Sequence, residues 1–391
     1  MTTETAAPGP SPTGRRPGET VRGPPAESSV NRVLIAGGGT GGHLMPALAI
    51  ASGIRELLPE VEPVLVGALR GVEARILPTR EFRFHLLSTE PIHRKAWWRN
   101  VRWPLIAGRL LREVALVFEE ERPLAVLGTG GYASAPVVWW ATRHGTPTAI
   151  QEQNAYPGLA TRWLSRRVRH VYLGLPEARR LLRFGRETAV FDTGNPIVPP
   201  ERERRPEALA RFGLDPDQPV VLVTGGSQGA LAINRAVAGW LDAGGADGAA
   251  VLWVTGRGTH EEFARFHRPP AVQVIDFLDP MADGYSVADL VVSRAGMITV
   301  AELCAWGLPS ILVPLPTAAA DHQTHNARVL AEAGAAFQLA QHELSPVTLG
   351  GLIERLLRDP ATSSAMAARA LARGRPAAAD EIVSKFSTLF R

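Results

Sequence analysis

Cysteine is almost absent from this chain: one residue, Cys304, in 391. That excludes a disulfide framework and an all-thiolate zinc site, and it suits a reducing compartment. Long apolar runs are missing too, since no stretch approaches the roughly 20 residues that span a bilayer. The first 31 residues lack any aromatic side chain or apolar segment, so they are not a secretory signal. Their six prolines and four glycines read as a flexible tail over 1–31. Charge of one sign is not in large excess either. At a net +4, any preference for an anionic partner has to come from where the cations sit.

What is present is 45% hydrophobic and 20% charged, a globular composition in a chain too long for one ordinary core. From Arg32 on, short apolar runs alternate with helical patterns, which predicts parallel α/β architecture. The expected strands are 33–36, 64–66, 124–127, 148–151 and 170–173, then 220–224, 251–255, 272–275, 290–293 and 310–313. Between the two sets, the Pro- and charge-rich GNPIVPPERERRP reads as a linker. Each half opens with a strand running into a glycine loop: VLIAGGGTGGH in the first, VLVTGGSQGA in the second, with a third loop, LGTGGYASAP, inside the first. The economical reading is two doubly wound Rossmann-like domains facing a cleft, with ligand at the carboxyl ends of the strands.

Glycines after a strand let the backbone approach a ligand, and the following helix offers unpaired N–H groups to an anion. Gly37, Gly39 and Gly42 match the dinucleotide pattern G-x-G-x-x-G by letter. A nicotinamide dinucleotide also wants an acidic residue closing the second strand. That strand instead runs VLVGALR. Arg70 leaves a 2′-phosphate dinucleotide as a second-rank reading, and three loops of this kind speak against a purely structural turn. Asp215-Pro216-Asp217 has the letters of a metal-binding Asp-x-Asp, but DPDQP ahead of a strand reads as a turn.

Seven stretches then carry a resemblance: GGTGGHLMPALAIA, GTGGYASAP, QEQNAYPGLATRWL, TGNP, TGGSQGALAIN, SRAGMITVAELCAWGLPSILVPLP and DHQTHNARVLAEAGAA. In this order, across almost the whole chain after the tail, they resemble the undecaprenyldiphospho-muramoylpentapeptide β-N-acetylglucosaminyltransferase family. The resemblance implies the GT-B fold. It also implies inverting, metal-independent transfer of GlcNAc from UDP-GlcNAc to lipid I, making lipid II for peptidoglycan synthesis. It divides the chain into an acceptor and membrane domain over 32–195, a UDP-GlcNAc-binding domain over 196–375, and a terminal helix at about 376–391 crossing back to the first domain. No cofactor is expected. UDP-GlcNAc, lipid I and an anionic membrane surface are the expected partners, with other cell-wall synthesis proteins as further candidates. The other readings are a UDP-sugar transferase acting on a different glycolipid and a UDP-GlcNAc 2-epimerase.

Without a metal, charge developing on UDP must be met by backbone N–H groups, hydroxyls and helix ends. Ser227, flanked by glycines, suits a phosphate oxygen, with an ordinary N-cap as its structural reading. Glu302 lies one turn beyond Ile298 on an otherwise apolar helix, where a carboxylate is costly unless paired. The resemblance gives it the ribose diol. It further implies Gln323 and His322 at the GlcNAc hydroxyls (with Asn326 a weaker candidate) and Met297 and Ile298 at the sugar through backbone. Phe277 and Leu278 would line the uracil pocket, and Asn154 would approach the transferred sugar. Thr40, Gly41 and Gly42 serve the donor and, with Gly39, His43, Gly130, Gly131 and Tyr132, the acceptor pyrophosphate. His43 either takes the proton from the acceptor C4 hydroxyl, kept neutral by the helix dipole, or donates to a phosphate oxygen. Asp321 suits an N-cap. Gln151 stands where the family has a histidine, and Val198 where many relatives carry an arginine.

The segment 91–112 has no acidic residue. It interleaves Arg94, Lys95, Arg99, Arg102, Arg109 and Arg112 with Trp97, Trp98 and Trp103. Tryptophans favour the membrane interface and cations favour anionic headgroups, which predicts peripheral attachment at the cytoplasmic face of the plasma membrane. The structural alternative is core tryptophans beside a solvated basic face. Nucleic acid is not expected, because no nucleic-acid module is present.

Overall fold

The computed structural model describes residues 21–22, 30–39, 41–89, 103–226 and 229–391, with the side chains of 21–22 and 103–105 outside that description. Thr40, Arg94, Lys95, Trp97, Trp98, Arg99 and Ser227 therefore lie outside the described residues, as does most of the 1–31 tail. Trp103 is described only as the first backbone position of a helix.

The first sheet holds β1 (Val21–Arg22), β2 (Asn31–Gly37), β3 (Val61–Ala68), β4 (Arg83–Leu87), β5 (Ala125–Gly130), β6 (Thr148–Glu152), β7 (His170–Leu173) and β8 (Ala189–Phe191). Their spatial order is β1-β4-β3-β2-β5-β6-β7-β8. All neighbours run parallel except β1, which pairs antiparallel with β4. Its helices are α1 (Gly41–Leu57), α2 (Glu73–Ile76), α3 (Trp103–Glu121), α4 (Gly131–Arg143) and α5 (Leu159–Leu164). The second sheet holds β9 (Val220–Thr224), β10 (Ala250–Val254), β11 (Val272–Ile275), β12 (Leu290–Ser293), β13 (Ser310–Leu312) and β14 (Phe337–Gln338), ordered β11-β10-β9-β12-β13-β14 and parallel. Around it lie α6 (Arg205–Phe212), α7 (Leu231–Asp242), α8 (His260–Phe263), α9 (Met281–Val287), α10 (Met297–Trp306), α11 (His322–Glu332), α12 (Pro346–Arg358) and α13 (Pro360–Arg373).

Two corrections to the sequence reading concern the first sheet. Residues 21–22, assigned to the tail, pair with Leu86 and His85 of β4, whose outer backbone groups would otherwise be an open edge. β4 itself was not expected, because RFHLL carries Arg83 and His85 among its apolar residues. Both are buried, and Glu121 on α3 answers them: Arg83 Nε donates to Glu121 Oε1 at 2.7 Å and His85 Nε2 lies 2.5 Å from the same oxygen. Burial raises the Glu121 pKa, but His85 and Arg83 prevail and hold it below the ordinary carboxylate range. Glu120 joins this group, the one His/Asp/Glu cluster of metal-binding compactness among the described residues. Arg83 also meets Glu120 at 2.7 Å, so arginine already supplies the countercharge a cation would bring.

Each sheet reverses strand order at one point, and both reversals carry glycine loops. In the first sheet the switch falls between β2 and β5, ahead of Gly38–Gly42 and Gly131. In the second it falls between β9 and β12, ahead of Gly225–Gly229 and Arg294–Gly296. Such crevices are where open α/β sheets bind ligands. The last helix, α14 (Ala378–Ser387), leaves the second domain and buries Ile382, Val383 and Phe386 in the first-domain core beside Ile50, Ile54 and Val33.

Candidate functional site

At the first switch point the two glycine loops are packed into one body. Gly38 N–H donates to the Gly130 carbonyl at 3.3 Å, and a Cβ on Gly131 would collide with the Gly38 carbonyl oxygen. Gly130 and Gly131 have φ of +97° and +80°, which only glycine adopts freely. The Thr129 hydroxyl donates to the His43 carbonyl at 2.8 Å, tying the start of α1 to the loop after β5. The His43 ring covers Gly130, where a Cβ would sit 2.6 Å from Cδ2. Tyr132 likewise covers Gly39. Gly41 and Gly42 are exposed at the helix start, offering unpaired N–H groups. Thus Gly39, Gly41, Gly42, His43, Gly130, Gly131 and Tyr132 converge on one surface.

His43 is held neutral, though not chiefly by the dipole: burial first, and then the charge of His322, lower its pKa to about 4. His322 belongs to the second domain, so the fold brings the two imidazoles together across the cleft. His322 Nδ1 lies 2.7 Å from the Ala319 carbonyl, which can only accept, so Nδ1 carries a proton and the ring is held in place.

One residue the sequence reading missed supports the first loop from behind. Glu73 on α2 is fully buried, and its Oε1 accepts from Gly39 N–H at 2.5 Å. Oε2 is buried without a hydrogen-bond partner. Burial raises the Glu73 pKa despite the backbone N–H groups around it, and burial followed by the charge of Glu73 raises that of Tyr132. Nothing in GVEARILP signals this role, because the partner is a backbone amide 34 residues away.

In the second domain, α10 follows β12 and carries Met297, Ile298 and Glu302. Met297 is buried, and Ile298 and Glu302 are partly so. Glu302 has a partner that the sequence did not reveal: the Tyr285 hydroxyl donates to its Oε2 at 2.8 Å. Burial still raises its pKa to about 7, against the lowering by that hydrogen bond. Gln323 on α11 uses its oxygen to accept from Leu315 N–H at 3.0 Å, which fixes the orientation of the amide. Phe277 is 39% exposed, with the Arg257 guanidinium 4.5 Å over its ring. Leu278 is instead a core residue, its side chain packed on Gly284. Asp321 occupies the N-cap position but caps no backbone N–H; at φ +55° its carboxylate accepts from the Thr324 hydroxyl at 2.6 Å. With Ala320 at φ +52°, the approach to His322 and Gln323 holds two successive non-glycine residues in left-handed conformation. Asp215-Pro216-Asp217 is a turn, Asp215 Oδ1 accepting from Asp217 N–H at 3.0 Å.

Asn154 and Asn326 join the halves. Fully buried Asn326 on α11 accepts from Ala155 N–H at 3.0 Å and donates to Asn154 Oδ1 at 3.2 Å and to the Ala295 carbonyl at 3.3 Å. Next to it Tyr156 stacks on His325 at 4.6 Å. Gln151 donates to Asn195 Oδ1 at 2.8 Å and accepts from Gln153 at 2.5 Å. Gln153 reaches the Thr129 carbonyl at 2.5 Å, so this buried amide network runs from the linker to the glycine loop. Val198 is 68% exposed.

Paired doubly wound sheets with glycine loops at their switch points define the GT-B fold, and the sequence comparisons make it that of a glycosyltransferase. The glycosyltransferase family 28 N-terminal domain matches residues 33–173 and the family 28 C-terminal domain matches 220–382. A relative in Moorella thermoacetica, named UDP-N-acetylglucosamine–N-acetylmuramyl-(pentapeptide) pyrophosphoryl-undecaprenol N-acetylglucosamine transferase, is 39% identical over 90% of this chain and 97% of its own. One of the same name in Salinibacter ruber is 40% identical over 90% and 94%. The crystal structure of Acinetobacter baumannii MurG superposes with a TM-score of 0.74 at 26% identity, over 92% of this chain and 99% of that one. The chain belongs to this family of N-acetylglucosamine transferases. A UDP-GlcNAc 2-epimerase from Neisseria meningitidis, at 13% identity and a TM-score of 0.62 over 91% and 100% of the two chains, shares the fold alone.

Proposed function

We propose that the protein moves GlcNAc from UDP-GlcNAc to the C4 hydroxyl of MurNAc in undecaprenyl-pyrophosphoryl-MurNAc-pentapeptide, with inversion and without a metal. The observation that carries this reading is the pair of facing glycine-loop surfaces, one with His43 and the other with Glu302, in a chain 39% identical to transferases of that name. In the first domain, Gly41, Gly42 and Gly131 present backbone N–H groups to the acceptor pyrophosphate, beside Gly39, whose own N–H is held by Glu73. In the second, the loop after β9 with Ser227 receives the donor diphosphate, and Glu302 accepts from the ribose diol. Phe277 stacks on uracil, and Gln323, His322 and Asn154 meet the sugar.

The acceptor C4 oxygen attacks the anomeric carbon as the bond to UDP breaks. The hydroxyl proton passes to neutral His43, and the leaving diphosphate is stabilised by preorganised donors. Radiolabelled UDP-GlcNAc with lipid I in mixed micelles and a chelator should yield lipid II. No product, or strict metal dependence, overturns the scheme. If His43→Ala spares turnover while acceptor affinity falls, the histidine grips phosphate and is not the base.

The acceptor's polyprenyl chain demands access to a membrane, and no helix among the described residues is long and apolar enough to cross one. Residues 94–103 supply the attachment at the cytoplasmic face, through Trp97, Trp98, Trp103 and the cations between them. A Trp97→Ala/Trp98→Ala variant should lose binding to anionic vesicles, and unchanged binding sinks that assignment.

A further inference from the structure

The Glu302 carboxylate is gripped from a second element. Tyr285, 3% exposed on α9, donates its phenol to Oε2 at 2.8 Å. Thr299, one turn earlier on α10, also acts on this hydroxyl. Its ring packs beside Trp306 at the end of that helix, with centroids 6.1 Å apart. The phenol is thus fixed along α10, and it fixes one carboxylate oxygen in turn. A vicinal diol brings two O–H donors, which only an ionised carboxylate in the right rotamer can accept together. We propose that Tyr285 is a positioning residue for the uridine nucleotide: its hydroxyl orients the Glu302 carboxylate and keeps it in the ionised, accepting form. This rests on the assignment of Glu302 to the ribose made above.

Other charges around α10 do not take over this task. α9 brings Asp283, paired with Arg204 and Arg211. α13 brings Arg369 and Arg373, the latter bound to Glu177 at 2.7 Å. α11 brings His322, His325, Arg328 and Glu332, and Arg294 ahead of α10 donates to the Val313 and Pro314 carbonyls. Among the described residues, Tyr285 is the side chain that hydrogen-bonds Glu302.

The sign of the pH effect follows. Burial raises Glu302 to about 7 and the phenol opposes that rise. The nucleotide binds the ionised form, so KM for UDP-GlcNAc climbs as pH falls through that value. Without the phenol the carboxyl titrates at higher pH, and the climb begins earlier on acidification. Well into the acid range, a carboxyl that titrates about one pH unit higher gives a KM roughly tenfold larger.

The test is Tyr285→Phe in the full chain, with kcat and KM for UDP-GlcNAc measured from about pH 6 to about pH 9, the span that brackets an elevated carboxyl. The variant-to-wild-type KM ratio should be largest at the acid end and fall toward unity at the alkaline end, with kcat changing far less than KM. A ratio independent of pH, or a loss confined to kcat, overturns the proposal. Glu302→Ala, run in parallel, separates the two ideas. If it leaves KM unmoved, the ribose assignment is what fails. If it raises KM while Tyr285→Phe does not, only the role of Tyr285 fails. Should Tyr285→Phe not fold, Tyr285→Met, which also lacks the donor, is put through the same pH series, with the same KM ratio expected and the same outcomes contrary.

Discussion

His43 and Glu302 are displaced in opposite directions by the same cause, burial, and the two effects separate on a pH axis. With His43 at about 4, its imidazole is neutral throughout the physiological range. On the roles proposed above, a base already deprotonated puts no acid limb on kcat near neutrality, whereas Glu302 at about 7 would weaken donor binding there. The expected outcome is a kcat that stays level on acidification while kcat/KM for UDP-GlcNAc declines. An acid limb on kcat near pH 7 under saturating substrates contradicts it. His322→Gln removes the second of the two causes, so the His43 pKa should rise, measured by NMR titration of the ring.

Glycine positions give a second test at this scale. Gly130→Ala adds a Cβ 2.6 Å from the His43 ring at a φ of +97°. We expect about 1–3 kcal/mol of lost stability from the strained backbone and at least a roughly tenfold loss of turnover from the displaced ring. Gly145→Ala has similar strain, at φ +76°, but open space around it. It should cost stability and keep turnover, so equal losses of activity in the two variants would refute the packing argument. Of these residues the sequence revealed the glycines and His43 through their place after a strand. It did not reveal Glu73 or Tyr285, because each acts on a partner brought near only by the fold.

Among the elements, strands with uninterrupted apolar runs were legible and those with answered charges were not. β9 and β12 could be read from VVLVT and LVVS. β4 could not, since Arg83 and His85 look like surface until Glu121 is set against them. The short edge strands β8 and β14 have too few residues to show a period. α14 was legible from its amphipathic spacing, and its anchor is Phe386, with no exposed surface in the first-domain core. Phe386→Ala should lower stability by about 3–5 kcal/mol, read as a fall in the denaturation midpoint. A change under about 1 kcal/mol would mean that the helix is not part of that core.

For the molecule as a whole, the relation between the halves rests on a few buried polar contacts, chiefly Asn326. Asn326→Ala strands the Ala155 N–H and the Ala295 carbonyl in a site without water access, at about 1–3 kcal/mol for each unsatisfied group. Calorimetric unfolding of that variant should broaden or split as the domains uncouple; one unchanged transition argues that the clasp is dispensable. The two-domain plan and the cleft could be anticipated from the repeated strand–glycine–helix openings. The clasp could not, because an asparagine pair 172 residues apart has no local pattern.

The return of α14 to the first domain also sets an order of events during synthesis. Residues 33–191 emerge first from the ribosome, yet their core stays open until Ile382, Val383 and Phe386 follow. The second domain, from α6 to α13, is complete before then. Although domains usually fold in the order they are made, we expect the later-made domain to close first here, while the earlier one lacks part of its core until α14 is made. A nascent chain halted before α14 should therefore present a protease-resistant second domain beside a protease-sensitive first.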